Sequence, residues 1–138
     1  MALVNGEVSK DADQINFSIG RSKAKIGIFA ARPQKSEDTD KLAITEFDVR
    51  ERFKNFTLLE IKILTGRTHQ IRVHLKAYGH PIVGDNLYFN KKLKTKKDLS
   101  RIFLHAHYLA FTGPDGKPYE FKSPLPEKLA TFLKSLKK

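Results

Sequence analysis

The 138 residues contain no cysteine. Disulfides and thiolate metal sites are therefore excluded. No apolar run approaches the roughly 18 residues needed to span a bilayer, and no signal-peptide pattern opens the chain. Internal repeats and low-complexity segments are also missing. Acidic residues are in short supply: 15 Asp and Glu stand against 26 Lys and Arg, for a net charge of +11. A balance this basic favours a polyanion partner, most directly a nucleic acid, with a solvated basic surface as the alternative. These features together lead us to expect a cytoplasmic protein that binds RNA or DNA and no membrane. With 40% hydrophobic residues and ten Phe, the chain is globular, and its length suits one domain, residues 1–138, with a modest core.

Chemistry-bearing side chains concentrate between Leu64 and Asp85, which hold three of the five histidines and two arginines. Phe56 to Ile63 alternates as a strand, with Thr57, Leu59, Ile61 and Ile63 on one face. Thr65-Gly66 supplies a bend and a possible N-cap. From Arg67 to Tyr78 the period becomes helical, because Ile71, His74, Leu75 and Tyr78 fall at i, i+3, i+4 and i+7. Gly79 suits a left-handed helix end and Pro81 blocks continuation. At ~100° per residue Arg72 lies roughly 60° from Leu75, on the border of the apolar stripe, and Arg67 lies ~140° from Arg72. Arg72 is thus placed either to face an anionic group or to brace a loop carboxylate or carbonyl. Arg67, in the first turn, is unfavourable against the helix dipole unless an anion such as a phosphate is near.

Elsewhere, Ala2–Val8 reads as a strand that begins abruptly, like a chain entered in mid-fold. Ile15–Ile19 reads as a strand, Ile26–Ala31 as strand or loop, and Arg32–Lys41 as loop. Leu42–Phe53 is predicted to pair with Phe56–Ile63 through a turn at Lys54-Asn55. The stretch Phe89–Arg101, with Lys91, Lys92, Lys94, Lys96, Lys97 and Arg101, is a solvated loop or a short exposed helix that could meet a phosphate backbone. Ile102–Thr112 is β-like, Gly113-Pro114-Asp115-Gly116 is a turn, and Lys117–Lys122 returns as the second strand of a hairpin. Leu129, Phe132, Leu133 and Leu136 mark a final helix. The fold class is α+β: a mixed, largely antiparallel sheet with the Arg67–Tyr78 and C-terminal helices packed on it.

The run Thr65-Gly66-Arg67-Thr68-His69-Gln70-Ile71-Arg72-Val73-His74-Leu75, followed by Gly79-His80-Pro81-Ile82-Val83-Gly84-Asp85 and Tyr88, closely resembles the motif of RluA-type pseudouridine synthases. These isomerise uridine to pseudouridine in ribosomal and transfer RNA. The likeness extends more loosely to Ala2-Leu3-Val4-Asn5-Gly6, Ile19-Gly20-Arg21, Leu104-His105-Ala106 and Pro124-Leu125-Pro126. It implies the C-terminal half of a catalytic domain, in which Arg72 takes the place of an arginine paired with a catalytic aspartate. Arg67, Thr68, His69, Gln70 and Lys76 become the candidate RNA contacts, and no metal or organic cofactor is required. The family's aspartate lies in an Arg-Leu-Asp run and its tyrosine just before the Ala-Leu-Val strand. This sequence contains neither the run nor a residue in the tyrosine's place. The expectation is a pseudouridine synthase fragment inactive by itself, or alternatively a non-catalytic RNA-binding module on the same scaffold. An isolated half would expose a sheet edge open to self-association. Asp85 is expected to anchor a turn. A zinc site is disfavoured because His69 and His74 are not spaced for one helical face. His74 is expected in the core, bonded to backbone, and His69 to order the helix or touch RNA. Tyr78 and Tyr88 are read as packing residues rather than base-stacking platforms.

Overall fold

The computed structural model describes residues 1–33, 37–93 and 99–138. Lys94, Lys96 and Lys97 of the basic stretch lie outside the described residues.

A four-stranded sheet organises the chain. It comprises β1 (Ala2–Asn5), β2 (Ala12–Ile15), β5 (Thr45–Phe53) and β6 (Phe56–Ile63), in the order β1-β6-β5-β2. The β5–β6 hairpin turns at Lys54-Asn55 as the sequence suggests, and Asn55 takes a positive φ of 70°. Two smaller ribbons complete the strands: β3 (Ser18–Arg21) with β4 (Phe29–Arg32), and β7 (Tyr108–Thr112) with β8 (Pro118–Lys122). Every strand pairing among the described residues is antiparallel. The helices are α1 (Gln70–Ala77) and α2 (Glu127–Lys134), so the architecture is α+β, as expected.

Residues directly opposed in an antiparallel pair project from the same side. Thr45, Phe47, Leu59 and Ile61 therefore share a face, and α1 packs there: His74 bonds Thr45, and the Tyr78 ring meets Phe47 edge-on at 5.4 Å. The other face is closed toward the β5–β6 turn by α2 and the residues after it. Leu129 is fully buried, Lys54 N–H donates to the Lys137 carbonyl at 2.8 Å, and Lys138 pairs with Glu51. Consequently Phe56, Thr57, Leu58 and Leu59, which alternate between the two faces, are all buried. Helical layers cover both faces of this first half of the strand, while Lys62 and Ile63 at its far end are exposed.

Several boundaries differ from the sequence reading. The first strand ends at Asn5, because Gly6 turns the chain with φ 84°. The stretch read as one strand, Ile15–Ile19, is split between β2 and β3, which belong to different sheets. Within Ile26–Ala31, Ile26 is fully exposed and the strand begins at Phe29, extending to Arg32. A bulge between Val49 and Glu51 inserts one residue into β5. Of Ile102–Thr112 only the last five residues form a strand. The earlier part runs beside β1, bridging Ala2 through Leu104.

Helix α1 starts at Gln70, three residues later than the Arg67 boundary read from the sequence. Its N-cap is His69, in the left-handed conformation (φ 54°), and not Thr65. Gln70 itself explains the delay. Its side-chain Oε1 accepts from the Arg67 N–H at 3.0 Å and from the Thr65 hydroxyl at 2.7 Å. The 65–69 segment is thereby held as a loop. The end of α1 follows expectation, with Gly79 at φ 96°.

Candidate functional site

Arg72 stands on α1, one side of the apolar stripe, with its side chain 19% exposed. Its Nε and Nη2 donate to Oδ2 and Oδ1 of Asp85, both at 2.8 Å, forming a bidentate pair. The Asp85 side chain is wholly buried. Its Oδ1 also accepts from the backbone N–H groups of Leu87 at 2.9 Å and Tyr88 at 3.0 Å. Burial pushes the Asp85 carboxyl up, but the Arg72 guanidinium and these two amides outweigh it and hold the pKa below the ordinary carboxylate value. The same bonds raise the Arg72 pKa against the opposing effect of burial. Asp85 thus anchors its turn, and Arg72 braces that loop carboxylate. The third guanidinium nitrogen, Nη1, has no hydrogen-bond partner among the described residues. Arg72 also lines a cavity of ≈ 440 Å³ with Asn86, Arg101 and Ile102.

The guanidinium carbon lies 5.0 Å from the centroid of the Tyr88 ring, a cation–π contact. Tyr88 is 1% exposed, so it is a packing residue and offers no face to a base. Its hydroxyl accepts from the Phe29 N–H at 3.0 Å and meets His69 Nδ1 at 2.8 Å. The His69 ring packs edge-on against both Tyr88 and Phe29. A continuous set of contacts therefore runs from Asp85 and Arg72 through Tyr88 and His69 to β4. It also offsets the left-handed backbone of His69, a conformation costing about 1–3 kcal/mol in a non-glycine residue.

The remaining candidates divide into two groups. Arg67 and Thr68 are exposed and line a second cleft, between the loop and the β3–β4 ribbon. Arg67 Nε donates to the Leu42 carbonyl at 3.0 Å. Lys76 is exposed on α1, one turn beyond Arg72 and on the same face. Gln70 is different. It is 4% exposed, and its amide nitrogen donates to the Ile44 carbonyl and the Thr45 hydroxyl. With both ends of the amide engaged inside the chain, Gln70 is a brace of the loop. The structure does not bring it to the surface with Arg67 and Thr68.

His74 is fully buried, as its place on the stripe suggested. Its Nε2 must carry a proton, because it faces the Phe17 carbonyl at 2.7 Å. Its Nδ1 then accepts from the Thr45 hydroxyl at 2.8 Å, which in turn accepts from Gln70. Burial lowers the His74 pKa, so this chain of donors is built on a neutral ring. His80 Nδ1 donates to the Asn5 carbonyl, while His105 meets the Ser123 carbonyl and His107 meets Glu60. Among the described residues the histidines go to separate partners.

The sequence model of the RNA pseudouridylate synthase family matches residues 1–77. The chain belongs to this family. It is 42% identical over 139 residues to the uncharacterized RNA pseudouridine synthase YlyB of Bacillus subtilis, covering 99% of this chain and 43% of that protein. It is 37% identical over 142 residues to the ribosomal large subunit pseudouridine synthase C of Haemophilus ducreyi, again covering 99% and 43%. The fold resembles that of human RNA pseudouridylate synthase domain containing 1, with a TM-score of 0.78 at 29% identity over 89% of this chain and 52% of the human one. The chain therefore spans less than half the length of these curated relatives. No helix among its described residues is long and apolar enough to cross a membrane.

Sequence reading missed two parts of this face. Asp85 as the partner of Arg72 is thirteen residues away and needs the turn at Gly79-His80-Pro81 to bring it back. Arg21, Phe29 and Lys41, which share the second cleft with Arg67, come from segments with no periodic signal linking them to α1. The only trace was the short Ile19-Gly20-Arg21 likeness.

Proposed function

We propose that this chain is the arginine-bearing portion of the catalytic domain of an RNA pseudouridine synthase, which isomerises uridine in ribosomal or transfer RNA in the cytoplasm. The observation that supports it is the geometry of Arg72. Two guanidinium nitrogens are anchored on buried Asp85, and the third, beside a cavity, has no partner among the described residues. A fixed guanidinium of this kind lowers the pKa of a second carboxylate and sets its direction. Asp85 does not serve as that second acid, since it is buried and its oxygens already accept four hydrogen bonds. In the reaction the carboxylate attacks the sugar as the bond from C1′ to N1 of uracil breaks. The base turns, its C5 bonds to C1′ as the bond from C1′ to the carboxylate breaks, the C5 proton is lost and N1 takes up a proton. The target base has to leave its stack to be reached. Arg67, Thr68, His69 and Lys76 face the RNA, with Gln70 holding their loop.

Release of tritium from RNA labelled at uracil C5 tests the reading. The purified 138 residues release none, because no Arg-Leu-Asp run is present. Adding a polypeptide that corresponds to the uncovered part of the relatives restores release, and Arg72→Ala abolishes it again. Release by the 138 residues alone would overturn the reading. RNA binding with no release under any complementation would instead favour the non-catalytic module, which the missing run also suits.

Self-association is part of the same proposal. All ten residues of β7 and β8 are exposed, including Tyr108, Leu109, Phe111, Tyr119 and Phe121. Light scattering over a concentration series is expected to show a rise in mass; a monomer throughout would refute this part.

A further inference from the structure

The cleft between the β3–β4 ribbon and the loop before α1 holds three cations and, among the described residues, no carboxylate in its lining. Arg21, Lys41 and Arg67 line it, with Phe29 and the hydroxyl-bearing Thr39 and Thr68, around a volume of ≈ 480 Å³. The side chains of Arg21 and Lys41 have no hydrogen bond or ion pair among the described residues, and Arg67 spends one nitrogen on the Leu42 carbonyl. Other arginines contrast with these: Arg32, Arg52 and Arg72 each meet an aspartate at 2.7–2.8 Å. The acid beside Lys41 in the chain, Asp40, is buried and bonded to Arg32. It fits there because Gly20 has no side chain to collide with its carboxylate. With Asp40 committed to Arg32 and no other carboxylate among the described residues lining the cleft, the three like charges repel one another, and an anion in the cleft relieves that repulsion.

We propose that Arg21, Lys41 and Arg67 hold the phosphodiester backbone of single-stranded RNA next to the target uridine, with a base against Phe29. This rests on the reading of the chain as an RNA pseudouridine synthase and extends it to residues of β3 and the loop after β4. Guanidinium forks match the paired oxygens of a phosphodiester. A basic groove with an aromatic wall is the general arrangement for single strands. The volume is that of a small-ligand site and admits one or two nucleotides, not a duplex. The His69–Phe29 ring contact joins this cleft to the Tyr88 and Arg72 assembly. A strand held here would thus be positioned relative to Arg72.

The test is fluorescence anisotropy of the 138-residue chain with an end-labelled, uridine-containing single-stranded RNA across a salt series. Arg21→Gln and Lys41→Gln each lower affinity for all sequences alike. Each also reduces the slope of log K against log salt by about 0.7, the value for one phosphate contact on a single strand. Arg21→Lys keeps most of the slope. Lys134→Gln, on α2, leaves it unchanged. Circular dichroism shows the variants folded, both side chains being exposed. If wild type binds and Arg67→Gln weakens it while Arg21→Gln and Lys41→Gln do not, this inference falls and the functional reading stands. Equal affinity for duplex RNA also overturns it. No RNA binding by the wild type sinks both.

Discussion

Replacing Asp85 tests the central contact of the site. Its side chain is fully buried and accepts from two Arg72 nitrogens and two backbone amides. Asp85→Ala leaves the amides of Leu87 and Tyr88 unsatisfied and Arg72 without its counter-charge. Removing one partner of a buried pair costs about 3–5 kcal/mol. Arg72 is 19% exposed and regains some water, which puts the expected loss at the low end, about 3 kcal/mol. For a chain of this size that corresponds to a melting point lower by roughly 10 °C. Asp85→Asn keeps an acceptor for the two amides but turns an NH2 toward the guanidinium. It loses charge-assisted bonds and is expected to cost about 2 kcal/mol. Urea unfolding followed by far-ultraviolet circular dichroism suits a protein with no tryptophan. A cycle with Arg72→Ala completes the measurement, because the two changes share one interaction and are not additive. The pH dependence has a defined sign. The folded pKa of Asp85 is below its ordinary 3.8, so its contribution is present above pH 3.8 and is lost as pH falls through the folded value. The gap between wild type and Asp85→Asn should close over that acid range. A loss under about 1 kcal/mol for Asp85→Ala, or strict additivity with Arg72→Ala, would refute the bracing role.

Three further outcomes are expected from the same structure. Gly84→Ala combines a positive φ of 80° with a Cβ that would collide with the Arg101 carbonyl; it should destabilise by more than about 3 kcal/mol, and a melting curve matching wild type would contradict the packing. The His74 pKa is lowered from 6.5, so its contribution is complete above pH 6.5 and declines as pH falls from there through the folded value. The stability difference between wild type and His74→Gln, followed by urea unfolding, should shrink over that window, and a pH-independent difference would disprove a neutral buried ring. Asp13 is held at about 2, first by Lys10 and next by the Tyr78 hydroxyl. Tyr78→Phe should raise its NMR-measured pKa toward the ordinary range while leaving it depressed, and no change would show that the 2.7 Å contact is not populated.

Local pattern carried much of the architecture. The stripe of Ile71, His74, Leu75 and Tyr78, the stop at Gly79 and Pro81, and the hairpin through Asn55 depend on contacts within one turn or between neighbouring strands. Periodicity reports those directly. The basic balance and the Thr65–Leu75 run likewise needed no third dimension to point toward RNA and toward this family. Gln70 shows where such reading stops. Its place in the motif marked it for the RNA, but four hydrogen bonds to Thr65, Arg67, Ile44 and Thr45 turn it inward.

Non-local meetings were decided by the tertiary structure alone. A period in the sequence says which face a residue occupies, but not which distant segment will lie against that face. The anchoring of Arg72 on Asp85 waits on the return of the chain after α1. The burial of both faces of the first half of β6, Phe56 to Leu59, waits on α2 arriving from about 70 residues away. The gathering of Arg21 and Lys41 with Arg67 waits on β3 leaving the main sheet to form its own ribbon. Charge and residue type were legible in order along the chain; their neighbours were set by packing, which depends on every segment at once.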